Sequence, residues 1–142
     1  MEDTLWYSWS FWQEAFALGT VALLFGGMTL FAFGFAALLF AALPPEAART
    51  AIRSAFPPFY LWVIATATIG AVSVWRFDDW SGWILAAIAL TTVPTRQILM
   101  PAINAATDAG NRKAFQGLHG LSVVITLAHI VASAVVLVRF IV

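Results

Sequence analysis

Four long runs of hydrophobic residues make up most of the chain, and short polar segments separate them. A helix needs roughly 20 apolar residues to cross a bilayer core about 30 Å thick. The runs therefore predict transmembrane helices at 15–43, 59–75, 83–106 and 115–138. They lack the alternating pattern of a barrel strand, and a barrel needs more strands than this length supplies. We expect an all-α polytopic membrane protein, a four-helix transmembrane bundle that forms a single domain over 1–142.

Prolines mark the connections between the predicted helices. Pro44 and Pro45 end the first run, and residues 46–55 are typical of a short interfacial helix that opens with proline in its first turn. Pro57 and Pro58 then separate this segment from the second span. The third span is less regular, because two prolines and two polar residues lie inside it.

Composition agrees with a membrane location. The chain is 62% hydrophobic and 10% charged, with a mean hydropathy of +0.90, whereas a soluble domain carries about 25% charged residues. The net charge is zero, so nothing predicts a nucleic-acid partner. Cysteine is absent, which excludes disulfides and a thiol nucleophile. No hydrolase, kinase or dinucleotide motif is present, and we expect that the protein is not an enzyme.

The distribution of basic residues predicts an orientation. Cytoplasmic loops carry an excess of Lys and Arg. The loops that follow the first and third spans hold four such residues, and the opposite side holds two. We therefore expect an integral protein of the bacterial inner membrane with both termini in the periplasm. The first set is Arg49, Arg53, Arg112 and Lys113, and the second is Arg76 and Arg139.

The fourth span carries a polar stripe. His119, Ser122, Thr126 and His129 follow one another at steps of three or four residues, which places them on one helix face. A polar group is costly in hydrocarbon, so this face should point into the bundle. Two interpretations stay open. The stripe either packs helices together through hydrogen bonds or forms a site centred on His119 with His129 as the lesser candidate.

The third span offers polar residues that could face this stripe. Arg96, Gln97 and Asn104 lie within it, and a charge inside a span must be paired or reach water. Arg96 has three interpretations. The proline before it could open the helix to water, it could pair with Asp108, or it could hold an anion or a proton beside His119.

A metal or haem site is the weakest of the chemical hypotheses. The two histidines are ten residues apart, about 15 Å along a helix, so they cannot share one centre. His119 and Met100 are the remaining weak candidates for ligands of haem or copper. We predict no cofactor.

Glycines in the first two spans favour close helix packing, because small residues let two backbones approach. In the first span they follow two edges, and in the second span one glycine lies in a stripe of small and polar residues. The glycines predicted to pack are Gly19, Gly26, Gly27, Gly34 and Gly70.

Two segments resemble the transmembrane protein 205-like domain family. One begins at Gly26-Gly27-Met28 and ends at Phe56-Pro57-Pro58-Phe59-Tyr60, and the other is Phe115-Gln116-Gly117-Leu118-His119-Gly120-Leu121-Ser122, an F-x-x-L-H-x-x-S pattern. The resemblance implies a four-helix membrane domain without an assigned activity, in which His119 and Ser122 match the family's polar pair. The chain has Thr126 and His129 where the family often has Asn and Gln.

These observations favour an accessory or assembly subunit of a membrane complex or of a homo-oligomer. Its expected partners are membrane lipids and other membrane subunits or a second copy of itself. The alternative is a small transporter or ion-handling protein with an internal polar pocket, and a second alternative is a haem- or copper-binding redox protein.

Overall fold

Four membrane-length helices form the structure. The computed structural model describes residues 8–141, and all regular secondary structure in this range is helical. The four helices that are long and apolar enough to cross a bilayer are Trp9–Ala42, Pro45–Val74, Asp79–Asp108 and Arg112–Arg139, here called spans 1 to 4. The prediction of an all-α bundle of four transmembrane helices is confirmed.

Two of the spans change their helical winding along their length. Span 1 consists of α1 (Trp9–Thr29), a π-helical stretch (Leu30–Phe35) and α2 (Ala36–Ala42). Span 2 is α3 (Pro45–Val74), and span 4 is α6 (Arg112–Arg139). Span 3 consists of α4 (Asp79–Pro94), a π-helical stretch (Thr95–Leu99) and α5 (Met100–Asp108). The wider turns of span 3 follow Pro94 directly, where the proline ring removes one backbone donor.

Side-chain caps start spans 3 and 4 earlier than the hydrophobic pattern predicts. The Asp78 carboxylate accepts the Trp80 amide at 3.2 Å, and the Asn111 side chain accepts the Ala114 amide at 3.1 Å. Such caps satisfy backbone donors that the first turn leaves unpaired. Charged residues that we predicted in loops therefore lie in the first turns of helices. These helices are longer than the bilayer core requires, so their first turns extend beyond it.

The prediction of a separate interfacial helix at 46–55 is wrong. Residues Pro45–Val74 form one helix that continues through Pro57 and Pro58. Proline has a helical φ but lacks the N–H of an intrahelical bond, so the Arg53 and Ser54 carbonyls lose their usual donors. Contacts on both sides of the prolines hold the helix together, since Ala48 and Tyr60 are both buried.

The four spans pack in a ring. Span 1 contacts spans 2 and 4, and span 3 contacts the same two neighbours. All four contribute to a single core of small and aliphatic side chains. Its most buried members include Val21, Leu24, Met28, Val63, Val74, Leu85 and Val136.

The two ends of the bundle differ in composition. The tryptophan end holds the start of span 1, the turn between spans 2 and 3, and the end of span 4, with Trp9, Trp12, Trp75, Trp80 and Trp83. The basic end holds the other two connections, with Arg49, Arg53, Arg112 and Lys113. At the basic end α2 packs on α3 and makes no substantial contact with α6. None of the residues 30–42 is buried, so span 1 closes the bundle at one end only.

Candidate functional site

Most of the polar stripe of span 4 points into the bundle. Ser122 is buried, and Thr126 and His129 are half-buried. His119 differs, because it is exposed and its ring stacks on Phe115 with ring centroids 5.3 Å apart. The expectation that His119 faces the bundle interior is wrong. Its helix face is the inward one, but α2 does not cover span 4 at this level.

Span 4 makes a side-chain contact with span 3, one of its two neighbours in the ring. The His129 Nε2 atom lies 2.8 Å from the Thr91 hydroxyl of span 3. Tyr60 of span 2 and Ser122 of span 4 are both buried, and their hydroxyl groups lie close to each other. Span 4 therefore binds span 3 through a side-chain contact as well as through apolar packing.

The Thr91 hydroxyl fixes the direction of its contact with His129. A threonine hydroxyl has one proton to donate, and Thr91 donates it to the Ala87 carbonyl at 2.6 Å. The Thr91 oxygen must then accept, so we assign the proton of this contact to His129 Nε2. In neutral His129 the Nδ1 atom is consequently an acceptor.

A small cavity lies beside His129, where all four spans meet. Its volume is about 10 Å³, which is close to the minimum for one water molecule. Thr92, Thr95 and Thr126 line it, and each donates its hydroxyl proton to a carbonyl of its own helix. Their oxygens remain as acceptors. The residues around the cavity are Met28, Phe59, Tyr60, Val63, Thr92, Thr95, Ile125, Thr126 and His129.

The polar residues predicted to face the stripe from span 3 do not contact it. Gln97 is exposed, the Arg96 Nε atom donates to the Pro57 carbonyl of span 2 at 3.3 Å, and the Asn104 carbonyl accepts from Arg53. The stripe instead meets the threonines at 91, 92 and 95. Sequence reasoning missed these threonines and Tyr60, although three threonines around Pro94 were a visible signal.

Ion pairs join the spans at both ends. At the tryptophan end, Arg139 donates to Asp78 from Nε at 2.6 Å and from a terminal nitrogen at 3.0 Å. The hydrogen bonds from Arg139 and Ser81 hold the pKa of the Asp78 carboxyl well below its usual range. At the basic end, Arg53 pairs with Asp108 at 2.6 Å. The pairing of Arg96 with Asp108 considered from the sequence is therefore replaced by one with Arg53.

The glycines divide into those that pack and those that face outward. A Cβ on Gly27 would collide with the Trp62 ring, and one on Gly70 would touch Leu85 at 3.4 Å. Gly34 has only Leu30 of its own helix nearby. A Cβ on Gly19 or Gly26 would meet nothing within 4 Å.

An apolar groove of about 440 Å³ lies between span 1 and span 2. Its walls are aromatic and aliphatic, and Phe31 stacks on Phe59 with ring centroids 3.7 Å apart. It continues along the π-helical part of span 1, where that span leaves the bundle. The described part of the chain contains no group of three or more His, Cys, Asp or Glu residues placed to hold a metal ion.

A family model matches residues 19–112, about two thirds of the chain. The chain belongs to the family described as a domain of unknown function, DUF4149. The match covers most of spans 1 to 3 and ends where span 4 begins, so the polar stripe of span 4 lies outside it. No curated protein and no solved structure matches the chain. This match does not confirm the resemblance to the transmembrane protein 205-like domain family, and it does not include the F-x-x-L-H-x-x-S segment at 115–122.

Proposed function

We propose that this small membrane protein is an interaction subunit, which assembles within the bilayer with another membrane protein or with a second copy of itself. The observation that carries the proposal is the exposure of polar side chains inside the spans. Gln97 and His119 are both exposed, and an unpaired polar group in hydrocarbon costs free energy. A neighbouring helix that pairs with them removes this cost.

Other features of the outer surface support the same role. Gly19 and Gly26 face outward with open space beside them, and small residues allow a second helix to approach closely. The connections between spans are short, so most of the surface available for contacts lies within the membrane. The resemblance to the transmembrane protein 205-like domain family fits this proposal, since that family implies the same compact architecture.

Replacing Gln97 tests the proposal. Interhelical hydrogen bonds contribute about 0.6–2 kcal/mol each, so Gln97→Leu should weaken association by roughly threefold to thirtyfold. The measurement is the fraction of assembled protein after purification from native membranes in mild detergent. Gln116→Leu is the matched control, because Gln116 is exposed near the start of span 4. A wild-type protein that is monomeric and alone under these conditions would contradict the proposal.

Ion or proton handling is the second candidate, and the cavity beside His129 favours it. The cavity combines a histidine with threonine acceptors from two spans, but its volume of about 10 Å³ excludes any solute larger than water. Proton movement would therefore depend on His129 rather than on His119. If this function is real, His129→Leu abolishes proton flux into liposomes while His119→Leu retains it; equal flux in both variants would contradict it.

We also propose that the basic end faces the cytoplasm, with both termini on the opposite side. The described residues place five basic side chains against two acidic ones at the basic end, and two against three at the tryptophan end. This asymmetry follows the positive-inside tendency. A reporter enzyme that is active only outside the cytoplasm should be active when fused after Val142 and inactive when inserted after Gly110.

A further inference from the structure

Arg96 carries a charge inside span 3 that the described chain does not balance. Its side chain is half-buried, and its one hydrogen bond is the contact of 3.3 Å with the Pro57 carbonyl. The salt bridges among residues 8–141 join Arg53 to Asp108 and Arg139 to Asp78, so Arg96 has no acidic partner there. A guanidinium has five N–H donors, and most of those on Arg96 remain available.

Arg96 lies in the π-helical stretch of span 3, at the deep end of a cleft between spans 2 and 3 that Arg53 also bridges. Its partner Pro57 lies one helical turn from Arg53 on α3, and Arg49 lies one turn further toward the basic end. Arg53 reaches across the same cleft to the Asn104 carbonyl at 3.3 Å and to Asp108. Arg96 and Arg53 bridge the cleft, and Asp108 is the carboxylate paired there. Arg49 and Glu46 are exposed at the start of α3, so basic residues outnumber acidic ones by three to two, which favours an anion as the ligand.

The depth of Arg96 allows its side chain to reach the level of the lipid headgroups. If Trp80 marks one edge of the bilayer core, a core of about 30 Å ends near residue 100. Arg96 then lies about 6 Å inside the opposite edge, within reach of a long side chain that extends toward the headgroups. Arg96 is itself only half-buried, so a lipid headgroup can reach its side chain.

We propose that Arg96, Arg53 and Arg49 form a binding site for the phosphate of an anionic phospholipid at the basic end of the bundle. The guanidinium fork matches phosphate oxygens, and basic clefts between transmembrane helices bind acidic headgroups. The acyl chains would remain in the bilayer beside span 3. This site is independent of the partner contacts proposed above.

Lipid-dependent stability of the purified full-length chain tests this site. The delipidated protein in detergent is titrated with phosphatidylglycerol or phosphatidylcholine, and Tm is measured. Phosphatidylglycerol should raise Tm and phosphatidylcholine should not. Arg96→Gln should weaken the apparent affinity for phosphatidylglycerol by about fivefold, since a basic residue near anionic lipid contributes about that factor.

Two controls test whether the rise in Tm comes from lipid bound at Arg96 rather than from another basic residue or from a free anion. Arg76→Gln makes the same change at the tryptophan end, where Arg76 is exposed, and should keep the wild-type affinity. Inorganic phosphate at the same concentration should leave Tm unchanged; an equal rise would mean that a free anion rather than lipid is bound, and would overturn the proposal. Equal effects of the two lipids, or wild-type affinity in Arg96→Gln, would also overturn it.

A second variant covers the case in which Arg96→Gln is not recovered folded. Arg49 is exposed on α3 and is in none of the described salt bridges, so Arg49→Gln should fold normally. It should weaken the phosphatidylglycerol affinity by about the same factor. Unchanged affinity in this variant would contradict a site formed by the three arginines.

Discussion

The two ends of the bundle differ in how many of their polar and charged side chains have hydrogen-bond or ion-pair partners within the described chain. At the tryptophan end, the Asp78 carboxylate accepts from Arg139, from the Ser81 hydroxyl and from the Trp80 amide. One side chain therefore joins the end of span 4 to the turn between spans 2 and 3. At the basic end, α2 leaves span 4 uncovered, His119 is exposed and Arg96 lacks an acidic partner.

This difference distinguishes the end that stabilises the fold from the end at which we propose contacts with lipids and partners. The half of span 1 that leads from the tryptophan end holds its fully buried side chains, among them Ala17, Val21 and Leu24, and has little left to offer a partner. The basic end keeps exposed polar side chains, and the apolar groove between spans 1 and 2 lies in the same half of the bundle. We infer that the first end holds the bundle together and that the second is where lipids and other proteins bind.

The largest expected effect comes from truncating the same side chain in the two regions. Leu85 is 0% exposed in the core, whereas Leu38 on α2 is 63% exposed. Leu85→Ala should lower the free energy of unfolding by about 2–5 kcal/mol, and Leu38→Ala by less than about 0.5 kcal/mol. Denaturation of the two variants in detergent measures this difference. Similar losses would mean that α2 packs as tightly as the core.

Two neighbouring glycines in span 1 give the next largest contrast. The Cβ of an alanine at position 27 would overlap the Trp62 ring, while at position 26 it would meet nothing. Gly27→Ala should cost about 1–3 kcal/mol through overpacking, less the gain from replacing glycine in a helix. Gly26→Ala should stabilise the isolated protein by up to about 1 kcal/mol. Unfolding of both variants in detergent checks this, and a stabilised Gly27→Ala would contradict the packing of Trp62.

The ion pair between Asp78 and Arg139 should make the stability of the tryptophan end sensitive to acid. Arg139 lowers the pKa of Asp78 in the folded state. The ion pair therefore stabilises the fold fully at pH values above the unfolded-state pKa of about 3.9. This stabilisation is lost as the pH falls toward the lower pKa of the folded state. Asp78→Asn should therefore destabilise the protein at neutral pH and reduce its further loss of stability in acid. Asp79→Asn, which changes the adjacent exposed residue, should behave like the wild type in both respects.

The ion pair at the basic end should contribute least. The side chains of Arg53 and Asp108 are 39% and 64% exposed, and exposed pairs contribute about 0–1 kcal/mol. Asp108→Asn should therefore reduce stability by less than Asp78→Asn does, and high salt should remove most of its effect. If Asp108→Asn lowered the free energy of unfolding more than Asp78→Asn does, the ion pair at the basic end would be the stronger one, which would contradict this prediction.

Hydrophobicity alone predicts the four spans, because backbone in a bilayer has few alternatives to a helix. It does not predict where they end, since Asp79 and Arg112 lie in helices that extend beyond the apolar core. The prolines predict a break at Pro57 that does not occur, because tertiary contacts outweigh the loss of backbone hydrogen bonds.

The sequence predicts the polar stripe of span 4 only in part, because tertiary packing decides which of its residues are buried. Periodicity finds the inward face of span 4, and Ser122 and His129 lie on it. It cannot show how far the neighbouring helix extends, so it places His119 in the interior. The partners Tyr60 and Thr91 were missed because helical periodicity describes one span at a time, while their contacts depend on how the spans pack.

The most direct test of an open, partner-binding basic end compares two positions on span 4 in two environments. The chain has no cysteine, so a nitroxide label can be attached to a single cysteine at position 119 or 122, and its accessibility to oxygen dissolved in the bilayer can be measured. For purified protein in liposomes, we expect a label at 119 to be accessible and one at 122 to be protected. In native membranes the label at 119 should become protected as a partner covers it, whereas equal accessibility at 119 in both environments would contradict the account.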